Sequence, residues 1–116
     1  MTSQIEHLWL AGFFDGDGCF TWTSKASGQF RRRYPKAQVG GTDKRVIQRA
    51  ADIMGSKVYV CKQTGVGTKT MYEAMVQGQK AIDLMSMILP LMDSEKADRG
   101  RAILEEIADG EISIKV

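Results

Sequence analysis

Ile5, Leu8, Trp9, Gly12, Phe13 and Gly16 fall at i, i+3, i+4, i+7, i+8 and i+11, which is one face of a helix. Thr2 or Ser3 can cap its start. Two of the six are glycines, and a mid-helix glycine costs roughly 0.5–1 kcal/mol relative to alanine. On a helix face, however, glycines let another backbone approach closely, so the spacing predicts a helix that packs on a second helix. The segment then closes with Asp15 and Asp17, two acids at the end where the helix dipole disfavours negative charge. Such a placement asks for a purpose.

Beyond Gly18 the period changes from helix to strand. Cys19 to Lys25 alternates, with Phe20, Trp22 and Ser24 on one side and Thr21, Thr23 and Lys25 on the other, as expected of a half-buried strand with a polar outer face. Ser27-Gly28 supplies a turn, and Arg31 to Val39 reads as the return strand, in which Pro35 predicts an edge or bulge position. Gly40-Gly41 ends this hairpin, and Thr42 or Asp43 caps a helix with apolar residues from Val46 to Met54 that stops at Gly55. Val58 to Cys61, a turn at Thr64 to Gly67 and Thr70 to Val76 form a second hairpin, whose facing is open between Tyr72 with Ala74 and Met71 with Met75. Helices follow over Gln79 to Met92, interrupted at Pro90, and over Ser94 to Ala108, with Ile112 to Val116 as a last short strand or tail. The order predicts one α+β domain over residues 1–116, an antiparallel sheet made of two hairpins with helices on a single face.

Charge is distributed unevenly along the 116 residues, although the net charge is only +2. Residues 1–17 carry −3, residues 18–72 carry +9 and residues 73–116 carry −4, and no acid occurs between residues 18 and 42. A polycationic centre inside a nearly neutral chain predicts a polyanionic partner held by one surface. No apolar run approaches the ~20 residues of a membrane span, and Met1 to Glu6 lacks the form of a signal peptide, so an intracellular location is expected. Cys19, Cys61 and the single histidine form no zinc-ligand spacing, and both cysteines are expected to be small packing residues. Phe20, Trp22 and Tyr59 are expected in the core.

Three purposes suit Asp15 and Asp17. A calcium loop fails, because Cys19 and Ala26 stand where an EF-hand needs an oxygen ligand and a bidentate glutamate. Casual capping is disfavoured by the dipole. A magnesium site remains, with a carboxylate at the helix end meeting nucleic-acid phosphate carried by the basic strands just beyond it.

The stretch Leu10-Ala11-Gly12-Phe13-Phe14-Asp15-Gly16-Asp17-Gly18 resembles the signature of the LAGLIDADG homing endonucleases, and the αββαββα order continues the resemblance over nearly the whole chain. The resemblance implies that the motif helix is a two-fold interface made by Leu8, Ala11, Gly12, Asp15 and Gly16, with Asp15 bonding to backbone N–H groups of the partner helix. It further implies that Asp17 binds the metal, that the carbonyl of Gly16 is an additional ligand, and that a lysine ahead of the last long helix, Lys96, assists at the scissile phosphate; Arg99 and Arg101 are alternatives. One motif in one chain implies a homodimer on a palindromic or near-palindromic duplex. The expected activity is Mg-dependent, site-specific cleavage of double-stranded DNA, from a mobile intron or a free-standing gene.

By strand parity and composition, Thr21, Thr23, Lys25, Gln29, Arg31, Arg33, Lys36 and Gln38 are expected to face DNA, joined by Lys62 and Lys69, while Arg32 contacts phosphate or solvent. One departure from the family pattern is Gly40-Gly41, where many relatives carry a polar residue that orders the active-site water. It keeps open an alternative, a non-cleaving nucleic-acid binder such as an RNA-splicing maturase or a DNA-binding regulator. A third class, an unrelated α+β protein with a basic surface, predicts a monomer.

Overall fold

The computed structural model describes residues 3–27, 30–61 and 69–109, and only the backbone of residues 25–27, 30 and 31. The elements are α1 (Gln4–Asp17), β1 (Gly18–Ser27), β2 (Phe30–Gly41), α2 (Lys44–Met54), β3 (Val58–Cys61), β4 (Met71–Gln77), α3 (Gln79–Ile88), a 3₁₀ turn (Leu89–Leu91) and α4 (Glu95–Ala108). Gly28, the turn at Thr64 to Gly67 and the segment Ile112 to Val116 lie outside the described residues. Among the described residues the strands form one antiparallel sheet in the order β1-β2-β4-β3, so the two hairpins join through β2 and β4 as expected. No described helix is long and apolar enough to cross a membrane.

Local chemistry fixes the helix ends. Ser3 caps α1 in a reciprocal capping box with Glu6, and Asp43 caps α2 through Arg45 N and Val46 N. Gly55 ends α2 with φ of +72°, a left-handed position that glycine adopts without steric cost. Pro90 lacks the N–H that an α-helix needs, and α3 accordingly gives way to the 3₁₀ turn.

Cross-strand register sets the two faces of the sheet. Phe20 pairs with Ala37, Trp22 with Pro35, Ala37 with Val76 and Val39 with Ala74. Phe20, Pro35, Ala37, Val39, Ala74 and Val76 are buried and lie under the helices. Leu10 and Phe14 of α1, Ile47 of α2, Met85 and Ile88 of α3 and Ile103 of α4 complete the core at 0–1% exposure. Burying each large side chain contributes about 1.5–3 kcal/mol, and that is the main force holding the helices to one face. Phe14 stacks on Phe20 with ring centroids 5.3 Å apart, tying α1 to β1.

Close approach depends on two glycines. A Cβ on Gly18 would stand 2.3 Å from Phe14 Cδ2, so the final glycine of the motif lets β1 leave the helix directly over that ring. A Cβ on Gly100 would stand 2.8 Å from Leu89 Cδ2 and 3.0 Å from Phe20 Cδ2, so α4 reaches β1 there only without a side chain.

Several expectations are corrected. Pro35 makes no bulge, since β2 runs in unbroken register with β1 through it, but it does sit at a local edge, just past the end of the pairing with β4. Its carbonyl accepts a hydrogen bond from Gly78 N–H at 2.9 Å, on the side where the pairing of β4 has just ended at Gln77, so its missing N–H removes no ladder bond. Gly40-Gly41 does end the first hairpin, since the pairing of β1 with β2 stops at Val39 and β2 itself at Gly41; the two glycines pair instead with Glu73 and Tyr72 of β4. Tyr59 is not in the core: it pairs with Glu73 on the open face and is 42% exposed. Neither cysteine is a packing residue, for Cys19 is exposed and Cys61 half-exposed. The open question about β4 resolves with Tyr72, Ala74 and Val76 inward and Met71, Glu73, Met75 and Gln77 outward.

Candidate active site and nucleic-acid interface

The end of α1 gathers three of the residues singled out in the sequence. The Asp15 carboxylate accepts two hydrogen bonds from Asp93 N–H, at 3.2 and 3.1 Å, clamping the helix end to the segment that enters α4. Lys96, in the first turn of α4, donates from Nζ to the Gly16 carbonyl at 2.6 Å. An ammonium at the C-terminal end of α1 complements the helix dipole that Asp15 and Asp17 oppose. The clamp thus brings a lysine eighty residues away in sequence onto the peptide group next to Asp17.

Asp17 is exposed, and nothing among the described residues hydrogen-bonds or ion-pairs with its carboxylate. It lines an open cavity of about 290 Å³ together with Phe13, Gly40, Gly41, Thr42, Asp43, Val46 and Ile47. The two glycines contribute no side chain to it, and its other polar side chains are those of Thr42 and Asp43. Hard oxygen donors of this kind suit magnesium, which needs six in near-octahedral array. A single protomer does not supply them: among the described residues no group of three or more His, Cys, Asp and Glu side chains comes together. The exposed Asp17 carboxylate can serve as one ligand of such an ion, and the described residues do not supply the others. The Gly16 carbonyl, expected as a further ligand, accepts one hydrogen bond from the Lys96 ammonium.

The face of α1 expected to form an interface divides in two. Ile5 and Leu8 are 75% and 51% exposed, Gly12 and Gly16 are exposed, and a Cβ on either glycine would meet nothing within 4 Å. These residues leave an apolar strip with a flat stretch on the surface. Ala11 is corrected: it is 0% exposed, packed inside its own chain one position away from the open strip. Within its own chain Asp15 binds the N–H of Asp93. Trp9 lies half-buried at the edge of the strip, with the Arg49 guanidinium 4.3 Å over its ring.

The sheet face opposite the helices is uncovered. Thr21, Thr23, Lys36 and Gln38 all lie on it, since Thr21 pairs with Lys36 and Cys19 with Gln38. Lys25 has the same parity in the register, opposite Arg32, and its side chain lies outside the described part of the structure. Lys69 is exposed just ahead of β4. Gln29 and Lys62 lie outside the described residues.

Arg33 is a correction. With no bulge at Pro35, odd-numbered residues of β2 point to the helices, and Arg33 stacks 4.4 Å over Trp22 and pairs with Glu106 of α4 at 3.6 Å. Arg31 has the same register parity, opposite Ala26, and its side chain is not described. Arg32 and Tyr34 take their places on the open face. Arg101 donates to the Leu89 carbonyl at 3.2 Å and pairs with Asp98, a bracing role away from Asp17. Sequence reasoning passed over Glu73, which lies on the open face and accepts from Gln38 Nε2 at 3.1 Å. Its signal was parity with Met71 and Met75, usable only once the facing of β4 was known.

The αββαββα order and the single four-stranded antiparallel sheet with helices on one face are the fold of the LAGLIDADG homing endonucleases. The homing endonuclease I-CvuI in complex with its target superposes with a TM-score of 0.70 at 21% identity, over 90% of this chain and 67% of that one. The archaeal intron-encoded homing endonuclease I-Vdi141I, complexed with DNA, matches at 0.63 and 17% identity, over 92% of this chain and 71% of that one. LAGLIDADG homing endonuclease I-GzeII, in complex with its DNA target, matches at 0.63 and 14% identity, but this chain spans only 37% of it. No family model and no curated protein sequence matches the chain.

Proposed function

We propose that the protein is a site-specific double-strand DNA endonuclease, acting as a homodimer on a palindromic or near-palindromic duplex. The observation that carries the reading is the clamped end of α1: an exposed, unpartnered Asp17 carboxylate beside the Lys96 ammonium, next to an apolar helix strip and an uncovered sheet face. The solved structures of the same fold are DNA complexes of homing endonucleases, crystallised among other conditions with calcium or with magnesium. Neighbours of which this chain spans only 37% have length for a second such domain, whereas those spanned to 67–71% do not. The open α1 strip suits pairing with a second motif helix, which in this reading comes from another copy of the chain.

In this reading the two-fold axis runs between two α1 strips and brings two Asp17 carboxylates to the centre of the duplex. Magnesium bound there would supply charge neutralisation at the phosphate and a more acidic water. Asp17 binds the ion, Asp15 holds the helix end against α4, and Lys96 places a positive charge near the scissile phosphate. The sheet lies along the major groove, with Thr21, Thr23, Arg32, Lys36 and Gln38 reaching base edges and phosphates. A second reading, a non-cleaving binder, is favoured by one observation: Gly40 and Gly41, which wall the cavity beside Asp17, offer no side chain to orient water, and only Thr42 and Asp43 bring polar groups to it.

The test is selection of a site from randomised duplex DNA in calcium, then addition of magnesium to the wild type and to Asp17→Asn. Wild-type cleavage of a palindromic site, lost by roughly 10³-fold or more in Asp17→Asn while binding is kept or improved, supports the nuclease. A selected site that neither protein cuts supports the binder.

A further inference from the structure

The open face of the sheet carries an acid where a DNA-binding surface would be expected to avoid one. Among the described residues facing outward from the four strands, Glu73 is the single carboxylate, set among Arg32, Lys36, Gln38, Thr21 and Thr23. Against phosphate such a group is repelled, and its chemistry suits a partner that donates hydrogen bonds.

Glu73 is held in place. Gln38 Nε2 donates to its Oε1 at 3.1 Å from the neighbouring strand β2. Cys61 lies diagonal to it on β3, and partial desolvation, with the neighbouring Glu73 carboxylate as hydrogen-bond partner and charge, pushes the thiol up, so it stays protonated at neutral pH. A carboxylate has about four acceptor positions, and these two donors leave about half of them facing outward. The space above it is also provided: directly opposite on β2 stands Gly40, where a Cβ would come within 3.4 Å of Glu73 Cγ. Gly40 thus has a structural reason independent of the Asp17 cavity, because it opens the sheet surface around this one acid.

In the major groove the exocyclic amino groups, N4 of cytosine and N6 of adenine, are the hydrogen-bond donors among base edges, while guanine and thymine present acceptors at the corresponding place. We propose that Glu73, oriented by Gln38, is a specificity-determining residue that accepts from the N4 amino group of a cytosine at one position in each half-site. The inference rests on the DNA-binding reading above. Gln38, with one amide hydrogen committed to Glu73, keeps its carbonyl oxygen and second hydrogen for a neighbouring base.

The experiment is selection from randomised duplex DNA in calcium with the wild type, Glu73→Gln and Gly40→Ala. The wild type is expected to select cytosine at one position per half-site, by about tenfold or more over guanine or thymine. Glu73→Gln is expected to change that position alone, admitting adenine, with total affinity unchanged or higher because a negative charge has left the face. Gly40→Ala is expected to weaken the preference at the same position. Identical selected sites from all three proteins, or a loss spread evenly over every position, would overturn the assignment of Glu73 while leaving the DNA-binding reading intact. Failure of the wild type to select any duplex would remove both.

Discussion

Lys96 Nζ lies 2.6 Å from the carbonyl oxygen of Gly16, joining the first turn of α4 to the last turn of α1. Asp15, one residue earlier on α1, takes the N–H of Asp93, three residues before Lys96. The two contacts act in opposite senses, carboxylate to amide and ammonium to carbonyl. Together they register two helix ends that share few other contacts.

If this clamp positions Lys96, weakening it affects stability and function separately. Asp15→Asn removes a charge-assisted pair of bonds and is expected to cost about 1–2 kcal/mol of stability, seen as a lowered midpoint in urea. Lys96→Met is expected to cost less, about 0.5–1 kcal/mol for a half-exposed bond, yet to slow cleavage by about 10²-fold with site binding largely kept. Equal small effects of both changes on cleavage would place Lys96 outside the chemistry.

Gly12→Val tests the interface with little interference from the fold. A Cβ at Gly12 meets nothing within 4 Å in its own chain, and valine is a better helix former than glycine, so the monomer fold is expected to tolerate the change. A fall in apparent mass on a sizing column from dimer to monomer, with a retained folded circular dichroism spectrum, is the expected result. An unchanged dimer would move the interface away from the α1 strip.

Gly18→Ala addresses the other side of the same helix end. Its φ of −85° is ordinary for any residue, so the penalty comes from contact alone, with a Cβ 2.3 Å from the Phe14 ring. Overpacking of this kind costs about 1–3 kcal/mol. Thermal unfolding should show a drop of several degrees, and Phe14→Leu, by vacating space beside the ring, should recover part of it when the two are combined.

The capping box gives a pH dependence of known sign. Glu6 is held below its ordinary value of about 4.5, chiefly by the hydrogen bond from Ser3 N–H, with smaller help from the Ser3 hydroxyl and the charges of His7 and Arg49. A depressed carboxyl pKa contributes stability that is fully present above the unfolded value and is lost as pH falls through the folded value. Melting temperature against pH should therefore fall below about 4.5 less steeply in Glu6→Gln than in the wild type, while the two converge in slope at neutral pH.

Local patterns made much of the architecture legible. Helix α1, its cap at Ser3, the strands before and after Gly28, the cap at Asp43 and the stop at Gly55 follow from periodicity and backbone chemistry within a few residues of each other. The nine residues from Leu10 to Gly18 likewise pointed to Asp17 and to an interface, because glycine on a helix face and acids at a helix C-terminus are locally costly and therefore informative. Facing was less legible. Arg33 was misplaced because proline suggests a bulge, whereas here the end of β4 at Gln77 leaves the proline's side of β2 without a partner strand.

Sequence by itself determined the element order, the polycationic centre and the position of the acids, all of which depend on neighbours along the chain. Only the tertiary structure decided which residues share a surface. Ala11 and Gly12 are adjacent in sequence, yet one is fully buried and the other open, since the core side of α1 is set by where β1 and α3 lie. Lys96 meets Gly16, and Gln38 meets Glu73, across 80 and 35 residues. Such contacts follow from how the hydrophobic faces close on one another, and no local pattern encodes that closure.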